Sequence, residues 1–325
     1  MNASPSHLRL VPAKGAAGRI CPYDYRYSPR VFVRAPDFTA DTLYVIGGLY
    51  GNLAALAAIE KLATVERAPV TQVFNGDFHW FDADPRAYRR VNDAVLRHAA
   101  TRGNVETELV RPASGAGCGC GYPDWVGDED VARSNRIIER LRATAQAHPE
   151  ASPALAALPM YLVAEVTGER VAVVHGDADA LAGWGFSQEV LATPRGAMAA
   201  RHAFARAQVR VFASSHTCLP VLQCFDGQRA VINNGAAGMP NFRGTGFGLA
   251  TRISSHPSGL ALYAARVGDL CVEAVPVEFD AVAWRRLFLA QWPVGSDAHA
   301  SYYERIVEGP RFAPHQALRA EEAMA

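Results

Sequence analysis

The sequence predicts an α/β protein in which two β-sheets pack as a sandwich. In the first half of the chain, short apolar runs rich in β-forming residues alternate with segments of helical spacing, and the second half holds mostly short strands. Polar residues collect where the strands end, which is where α/β sheets place their functional sites. A length of 325 residues suits one large domain or two small ones.

The first strand, loop and helix illustrate this pattern. Residues 42–46 form an apolar run that stops at two glycines, and Asn52 is the predicted N-cap of a helix over 52–63. Further strands are predicted at 70–74, 160–166, 170–174, 209–213, 221–225, 229–232, 246–253, 259–265 and 271–277, and a further helix at 85–100.

Composition limits the classes of function. The chain carries 32 basic and 32 acidic residues, so its formal net charge is zero and nucleic acid is not expected as a partner. No apolar run is long enough for a signal peptide at the N-terminus or for a membrane span, so we expect a cytoplasmic protein that does not bind membranes. Six cysteines are too few to indicate a disulfide framework, and we therefore expect reduced thiols.

The chain divides into three parts by composition. Residues 1–40 are polar and contain prolines, which predicts an arm or tail; residues 41–280 hold the alternating strands and helices; residues 281–325 are predicted to form a helical extension. Within the central part, residues 112–130 form a long glycine-rich loop that contains a Cys-Gly-Cys sequence. Loops of this length are usually functional or mobile.

Five loop segments at strand ends follow one another in a characteristic order. They are Gly48-Leu-Tyr50-Gly-Asn52, Gly76-Asp77, Gly103-Asn104-Val105-Glu106, His175, and Ser215-His216-Thr-Cys218. This series resembles the signature of the calcineurin-like metallophosphoesterases, which reads D-x-H-G-N, G-D, G-N-H-[DE], a histidine after an apolar strand, and G-H-x-H. The resemblance extends over residues 42–277 and implies a two-sheet sandwich with helices on the outer faces.

In that family two divalent cations lie side by side, and the resemblance implies that Asp77 would bridge them. The ligands implied for the second metal, which are also the implied catalytic residues, are all present: Asp77, Asn104, His175 and His216. One carboxylate, one amide and two imidazoles suit Mn, Fe or Zn better than Ca. We therefore expect a divalent transition metal as cofactor, present as one ion or two.

The ligands implied for the first metal are altered. Gly48, Tyr50 and Cys218 stand where the family has Asp, His and His, and Cys218 remains a candidate ligand. Val105 replaces the histidine that assists the leaving group in the family, and such general acids contribute about 10²–10⁴-fold in rate. His79 is a further candidate ligand. The residues expected to shape a substrate pocket are Tyr50, Asn52, Cys118 and Cys120.

These residues leave three hypotheses open. The first is a metal-dependent hydrolase of phosphoesters, either a phosphatase or a phosphodiesterase, that acts on a small phosphorylated substrate. The second is a non-catalytic protein of the same fold that binds a phosphorylated ligand or a partner, because the family's Asp, His and general-acid His are missing. The third is a redox-active iron site that uses cysteine. The sequence indicates neither the substrate nor the oligomeric state.

Overall fold

A fully buried strand, β2 (Thr42–Ile46), lies inside the first sheet. The computed structural model describes residues 16–111 and 115–319. In it, β2 runs parallel to β3 (Val70–Asn75), with a helix as the crossover between them, and antiparallel to β10 (Gly248–Ser254). In order across the sheet, the six strands are β11 (Tyr263–Val267), β12 (Leu270–Val277), β10, β2, β3 and β4 (Ala99–Thr101).

The second sheet brings distant parts of the chain together. In order across the sheet, its seven strands are β1 (Phe38–Ala40), β5 (Tyr161–Val166), β6 (Glu169–Val174), β7 (Val211–Ser214), β9 (Arg229–Asn233), β8 (Val221–Phe225) and β13 (Leu318–Arg319). β5 and β6 form an antiparallel hairpin, whereas β6, β7 and β9 run parallel to one another. Parallel strands end at the same edge of a sheet, so the residues that follow β6 and β7 come close together.

Apolar side chains fill the space between the sheets and cover their outer faces. Along β2, Leu43 and Val45 join Val171 of the second sheet in one buried cluster, while Tyr44 and Ile46 belong to another cluster that includes helices. This alternation is the period of two expected of a strand. Helices cover the far side of the second sheet as well. The predicted fold class, a two-sheet α/β sandwich with outer helices, is confirmed.

Helices begin where capping side chains allow it. Asn52 accepts hydrogen bonds from two backbone N–H groups in the first turn of the helix that follows β2. The helix predicted over 85–100 ends at Val95, because residues 99–101 pair with β3 as a strand. The helices are α1 (Leu53–Thr64), α2 (Pro85–Val95), α3 (Asn104–Val110), α4 (Asp128–Gln146), α5 (Ser152–Ala157), α6 (Gln188–Leu191), α7 (Pro194–Ala207), α8 (Ala281–Gln291), α9 (Asp297–Glu308) and α10 (Pro314–Ala317).

Segments near both ends of the described part of the chain pack onto the sandwich. Tyr25, in a short 3₁₀ turn before β1, is buried, and its hydroxyl donates to Glu108 (2.7 Å). α9 lies against α4, and β13 adds to the edge of the second sheet beside β8. None of the helices in the described ranges is both long and apolar enough to cross a membrane. The division into arm, domain and extension stays a prediction, and parts of it lie outside the described residues, namely 1–15, 112–114 and 320–325.

Candidate metal centre

Four side chains meet at one end of the sandwich. Asp77 follows β3, Asn104 begins α3, and His175 and His216 follow β6 and β7. Asp77 and His216 have φ angles of +53° and +54°, in the left-handed region that few residues other than glycine adopt. Oδ2 of Asp77 lies 3.3 Å from Nε2 of His175. The candidate ligand atoms of Asp77, His175 and His216 all lie within 4.8 Å of one another.

Hydrogen bonds to backbone carbonyls determine how three of these side chains are turned. Nδ1 of His175 donates to the carbonyl of the last residue of β3 (2.8 Å), so in the neutral ring Nε2 is an acceptor. Nδ2 of Asn104 donates to the carbonyl of Cys118 (3.0 Å), and Oδ1 therefore points to His175 Nε2, 3.2 Å away. Nε2 of His216 donates to the carbonyl of Cys120 (3.0 Å). Nδ1 of His216 is buried and has no hydrogen-bond partner among the described residues.

When His175 is neutral, four acceptor atoms face one another without a donor side chain among them. They are Asp77 Oδ2, Asn104 Oδ1, His175 Nε2 and His216 Nδ1. Buried polar atoms are nearly always paired in folded proteins, and buried acceptors that face each other are stabilised only by a proton or a cation between them. One carboxylate oxygen, one amide oxygen and two imidazole nitrogens form a donor set that fits Mn, Fe or Zn. The residues present therefore fit a divalent metal ion.

The charges at this centre respond to burial and to one another. Burial raises the pKa of Asp77, but His175, His216 and the backbone N–H of Val105 together lower it more, so the pKa of Asp77 falls below its usual value. Burial lowers the pKa of His175, but Asp77, the backbone carbonyl of Asn75 and Glu106 together raise it more, so the pKa of His175 lies above its usual value. Burial, together with the charge of His175, lowers the pKa of His216 to about 4. Asp77 is thus anionic and His216 neutral at pH 7, as metal ligands must be, whereas a metal ion would have to displace the proton that Asp77 favours on His175.

A buried glutamate braces the loop that carries Asp77. One carboxylate oxygen of Glu106 accepts hydrogen bonds from the backbone N–H groups of Asp77 and Gly103, both at 2.8 Å. The other oxygen accepts from the two residues after Asp77, at 3.0 and 3.3 Å. These bonds join the turn after β3 to the start of α3, so they hold Asp77 and Asn104 in a constant relative position.

The three altered positions of the first metal site contact one another. A Cβ atom on Gly48 would lie 2.9 Å from Cζ of Tyr50, so the glycine makes room for the tyrosine ring. The Tyr50 hydroxyl lies 3.1 Å from Sγ of Cys218. Burial raises the pKa of both the Tyr50 hydroxyl and the Cys218 thiol, so both keep their protons at neutral pH. Where the resemblance implies ligands of a first metal, this chain therefore has a hydrogen-bonded pair of neutral groups.

A cavity of about 260 Å³ lies beside the candidate centre. Asp77, Asn104 and His216 line it, as does Cys120. Aromatic side chains make up much of the remaining wall, and they come from five separate segments of the chain: Tyr50, Trp80, Tyr122, Trp184 and Tyr302. Sequence analysis identified Tyr50 and missed the other four, because no local pattern relates them to the ligands.

The C-terminal helix α9 contributes an arginine to the same cavity. Nη2 of Arg305 donates to the carbonyl of Cys218 (2.5 Å), and Nε donates to the carbonyl of Pro240 (3.3 Å). Arg305 and Tyr302 both line the cavity and are three residues apart on α9, so they share one face of that helix. This spacing can be read from the sequence, but it does not indicate that the shared helix face meets the cavity. The cavity thus has a positive charge close to the candidate metal centre.

No protein-family model matches the chain, and no curated protein does. Among solved structures, a metallophosphoesterase from Sphaerobacter thermophilus is similar at 18% identity and a TM-score of 0.52, covering 83% of this chain and 100% of that chain. A hypothetical protein from Pyrococcus horikoshii OT3 is similar at 17% identity and a TM-score of 0.54, covering 83% and 99%. This chain has the calcineurin-like metallophosphoesterase fold. At such identities the likeness concerns the fold alone.

Two residues predicted for the site have other roles in this metallophosphoesterase fold. His79 lies outside the cluster: its Nδ1 atom is 2.7 Å from Oδ2 of Asp82, and its ring stacks on Tyr88 with 4.1 Å between centroids. Asn52 uses its Oδ1 to cap α1 and its Nδ2 to bond the carbonyl of Gly238 (2.9 Å), so it does not line the cavity. The Asn52 side chain is fully used by structural hydrogen bonds, whereas His79 is held by Asp82 through Nδ1 and its Nε2 is buried without a partner among the described residues.

The expectation of reduced thiols is wrong for two of the six cysteines. Cys118 and Cys120 form a disulfide, with their Cα atoms 5.4 Å apart. The expectation rested on the small number of cysteines, which does not indicate a disulfide framework. This bond instead spans a single residue, Gly119, with a φ of +66°. Cys120 lines the cavity as predicted, but Cys118 is fully buried and does not. The free cysteines are Cys21, Cys218, Cys224 and Cys271.

Proposed function

We propose that this protein is a metal-dependent phosphoester hydrolase with one divalent ion held by Asp77, Asn104, His175 and His216. The observation that carries the proposal is the meeting of four side-chain atoms that are all acceptors when His175 is neutral, above all the buried and unpartnered Nδ1 of His216. A cluster with a purely structural role would pair these atoms with N–H or O–H groups. The metallophosphoesterase fold supports the same assignment. We propose a cytoplasmic enzyme with a small phosphorylated substrate, in keeping with a cavity of about 260 Å³.

The side chains around the centre divide the work of binding and orientation. A divalent ion, when bound in such a site, polarises a phosphoryl oxygen and lowers the pKa of a water molecule. Glu106 keeps Asp77 and Asn104 aligned through the backbone N–H groups at both loops. Arg305 supplies a positive charge in the cavity, and guanidinium groups bind phosphate oxygens through charged hydrogen bonds. Aromatic side chains exclude water from the rest of the cavity.

The residue at the family's general-acid position cannot donate a proton, which favours esters with a good leaving group. Val105 is buried there, and its backbone N–H donates to Oδ1 of Asp77 (3.1 Å), so it has no proton to give to an alcohol. A missing general acid costs roughly 10²–10⁴-fold in rate, and the loss is smallest for a leaving group that departs easily as an anion. The aromatic walls of the cavity favour a flat apolar group as well. We therefore propose aryl phosphoesters as better substrates than alkyl phosphoesters.

Metal content tests the centre. Protein purified without chelators is analysed by mass spectrometry, together with His175→Ala and with His202→Ala, which removes an exposed histidine from α7. We expect about one equivalent of Mn, Fe or Zn in the wild type and in His202→Ala, and none in His175→Ala. Absence of metal from the wild type, even after incubation with these ions, contradicts the proposal. Two equivalents would show that Tyr50 and Cys218 do not exclude the first metal.

Turnover tests the reaction. The metal-loaded protein is assayed with p-nitrophenyl phosphate, bis(p-nitrophenyl) phosphate and a matched alkyl phosphate. We expect hydrolysis of at least one aryl ester, loss of it in His175→Ala, and a rate on the alkyl ester lower by about 10²-fold or more. Equal rates on aryl and alkyl esters would refute the argument from Val105.

A second candidate function is binding without turnover. The observation in its favour is the pair formed by Tyr50 and Cys218, which replaces the family's first-metal ligands with neutral groups. Together with Val105, this pair removes three elements of a two-metal reaction. One equivalent of metal with no hydrolysis of any ester in the panel would favour this candidate over the hydrolase.

A further inference from the structure

The disulfide lies directly above the candidate metal centre. Cys118 and Cys120 sit on the glycine-rich loop, and the main chain between them is closed into a small ring by the S–S bond. The loop is anchored on its other side by α4, because Oδ1 of Asn135 accepts from the backbone N–H of Cys118 (3.0 Å). Backbone hydrogen bonds also join the loop to Gly18, and the glycines at 117, 119 and 121 all have positive φ angles, which glycine adopts without strain.

Two carbonyl groups, one inside this ring and one directly after it, accept hydrogen bonds from two of the candidate metal ligands. The carbonyl of Cys118 lies inside the ring and accepts from Nδ2 of Asn104 (3.0 Å). The carbonyl of Cys120 directly follows the ring and accepts from Nε2 of His216 (3.0 Å) and from Nε1 of Trp184 (3.0 Å). Nδ2 of Asn104 also lies 3.5 Å from Sγ of Cys120.

These contacts decide which atom of each ligand faces the centre. If the carbonyl of Cys118 turned away, the amide of Asn104 would be free to rotate and to present N–H groups, which cannot bind a cation. If the carbonyl of Cys120 turned away, His216 would lose the bond that places its proton on Nε2 and leaves Nδ1 as the acceptor. Partners that orient metal ligands in this way typically change metal affinity by about 10–100-fold when they are removed.

We propose that the Cys118–Cys120 disulfide is a redox-controlled positioning element that sets the metal affinity of this centre. The proposal rests on the metal site proposed above and adds its regulation. Oxidised, the ring holds both carbonyls toward Asn104 and His216, and the centre binds metal tightly. Reduced, the loop regains freedom of its backbone, the two carbonyls are no longer held, and the affinity falls.

The chemical step is thiol–disulfide exchange. A dithiol reductant transfers two electrons and two protons to the S–S bond, so that Cys118 and Cys120 become thiols and the reductant becomes a disulfide. In the laboratory, a phosphine and one water molecule do the same and yield the phosphine oxide and two thiols. Reoxidation with diamide removes two electrons and two protons and restores the bond.

The test measures the affinity for Mn²⁺ in both redox states. Free Mn²⁺ is followed by electron paramagnetic resonance, because Mn²⁺ prefers oxygen and nitrogen ligands and is not captured by the newly freed thiols. We expect the phosphine-reduced protein to bind Mn²⁺ about 10–100-fold more weakly than the diamide-oxidised protein. Cys118→Ser/Cys120→Ser should match the reduced protein under both conditions, whereas Cys224→Ser, on β8 in the second sheet, should respond like the wild type.

A count of free thiols in denatured protein shows whether the Cys118–Cys120 disulfide is oxidised or reduced. The oxidised form should show four free thiols and the reduced form six. If diamide leaves six thiols, or if both forms bind Mn²⁺ with the same affinity, the inference is overturned while the metal site stands. If neither form binds Mn²⁺, the proposed function fails and the inference fails with it.

Discussion

Replacement of Glu106 by glutamine is the sharpest test of how the centre is built. Each oxygen of the Glu106 carboxylate accepts two backbone N–H groups, at 2.8 and 2.8 Å for one oxygen and 3.0 and 3.3 Å for the other. A glutamine presents one oxygen and one NH₂ group. Whichever way the amide turns, its NH₂ group therefore faces two N–H groups that can no longer be paired.

The size of the effect follows from this geometry. A buried donor left without an acceptor costs about 1–3 kcal/mol, so two of them lower the free energy of unfolding by roughly 2–6 kcal/mol. The same loss frees the loop of Asp77 to move relative to Asn104. Because such bracing groups are worth about 10–100-fold in metal affinity, we expect Glu106→Gln to bind Mn²⁺ more weakly by that factor.

The assay compares urea unfolding of the metal-free protein with its affinity for Mn²⁺. Glu66→Gln is the matched control, because Glu66 is also a largely buried glutamate but lies before β3, at the opposite end from Asp77. Its carboxylate pairs with Arg252, with Oε1 2.6 Å from Nε and Oε2 2.9 Å from Nη2. Glu273 still pairs with Arg252 in this variant (Nη1 to Oε2, 2.6 Å), so the control should lose about 1–3 kcal/mol through its weakened charged hydrogen bonds and keep its affinity for Mn²⁺.

Two results would refute this reasoning. If Glu106→Gln and Glu66→Gln are equally destabilised but both bind Mn²⁺ like the wild type, Glu106 is a stabilising residue with no role at the centre. If Glu106→Gln keeps wild-type stability, its amide has found acceptors elsewhere and the hydrogen-bond count above is wrong.

Three further predictions concern the charges and the altered positions. The pKa of His216 is about 4 in the folded chain and about 6.5 when unfolded, so the unfolded state binds a proton that the folded state does not between these values. Stability therefore falls as the pH falls from 6.5 to 4, and urea titrations of metal-free protein should show the wild type losing about 3 kcal/mol more than His216→Asn over that range; parallel curves would contradict the shift. Arg305→Gln should lower kcat/KM for an aryl phosphate by about ten- to a hundredfold through its lost contact with phosphate, whereas Arg286→Gln on the exposed face of α8 should not; equal loss in both would exclude a specific contact. The triple variant Gly48→Asp, Tyr50→His and Cys218→His restores the family's ligands. Its metal content by mass spectrometry should rise from one equivalent to two, and an unchanged content would show that more than these side chains excludes the first metal.

The fold was predictable because its signals are local and repeat along the chain. Residues 42–46 were predicted as a strand, and β2 has those bounds, since a run buried on both faces is apolar throughout. The order of strands and helices, and with it the two-sheet sandwich, followed from such runs. β4 was missed because helical spacing continued into residues 99–101, and only their pairing with β3 in space makes them a strand.

The candidate ligands could also be named from the sequence. Asp77, Asn104, His175 and His216 each follow a strand or begin a helix, and their order along the chain matches a known series. The sequence specifies the type of each residue and its position relative to the strand or helix beside it. It also showed that Gly48, Tyr50 and Cys218 break the series, but not that the three touch one another.

Only the tertiary structure decided what these side chains do. The lone pairs of Asn104 and His216 face the centre because carbonyls of Cys118 and Cys120, from a separate loop, accept hydrogen bonds from their N–H groups. Arg305 reaches the same cavity from a helix near the end of the chain. Asn104 and Arg305 line one cavity although about 200 positions separate them in the chain, and local propensity and hydrophobic period contain no record of such proximity.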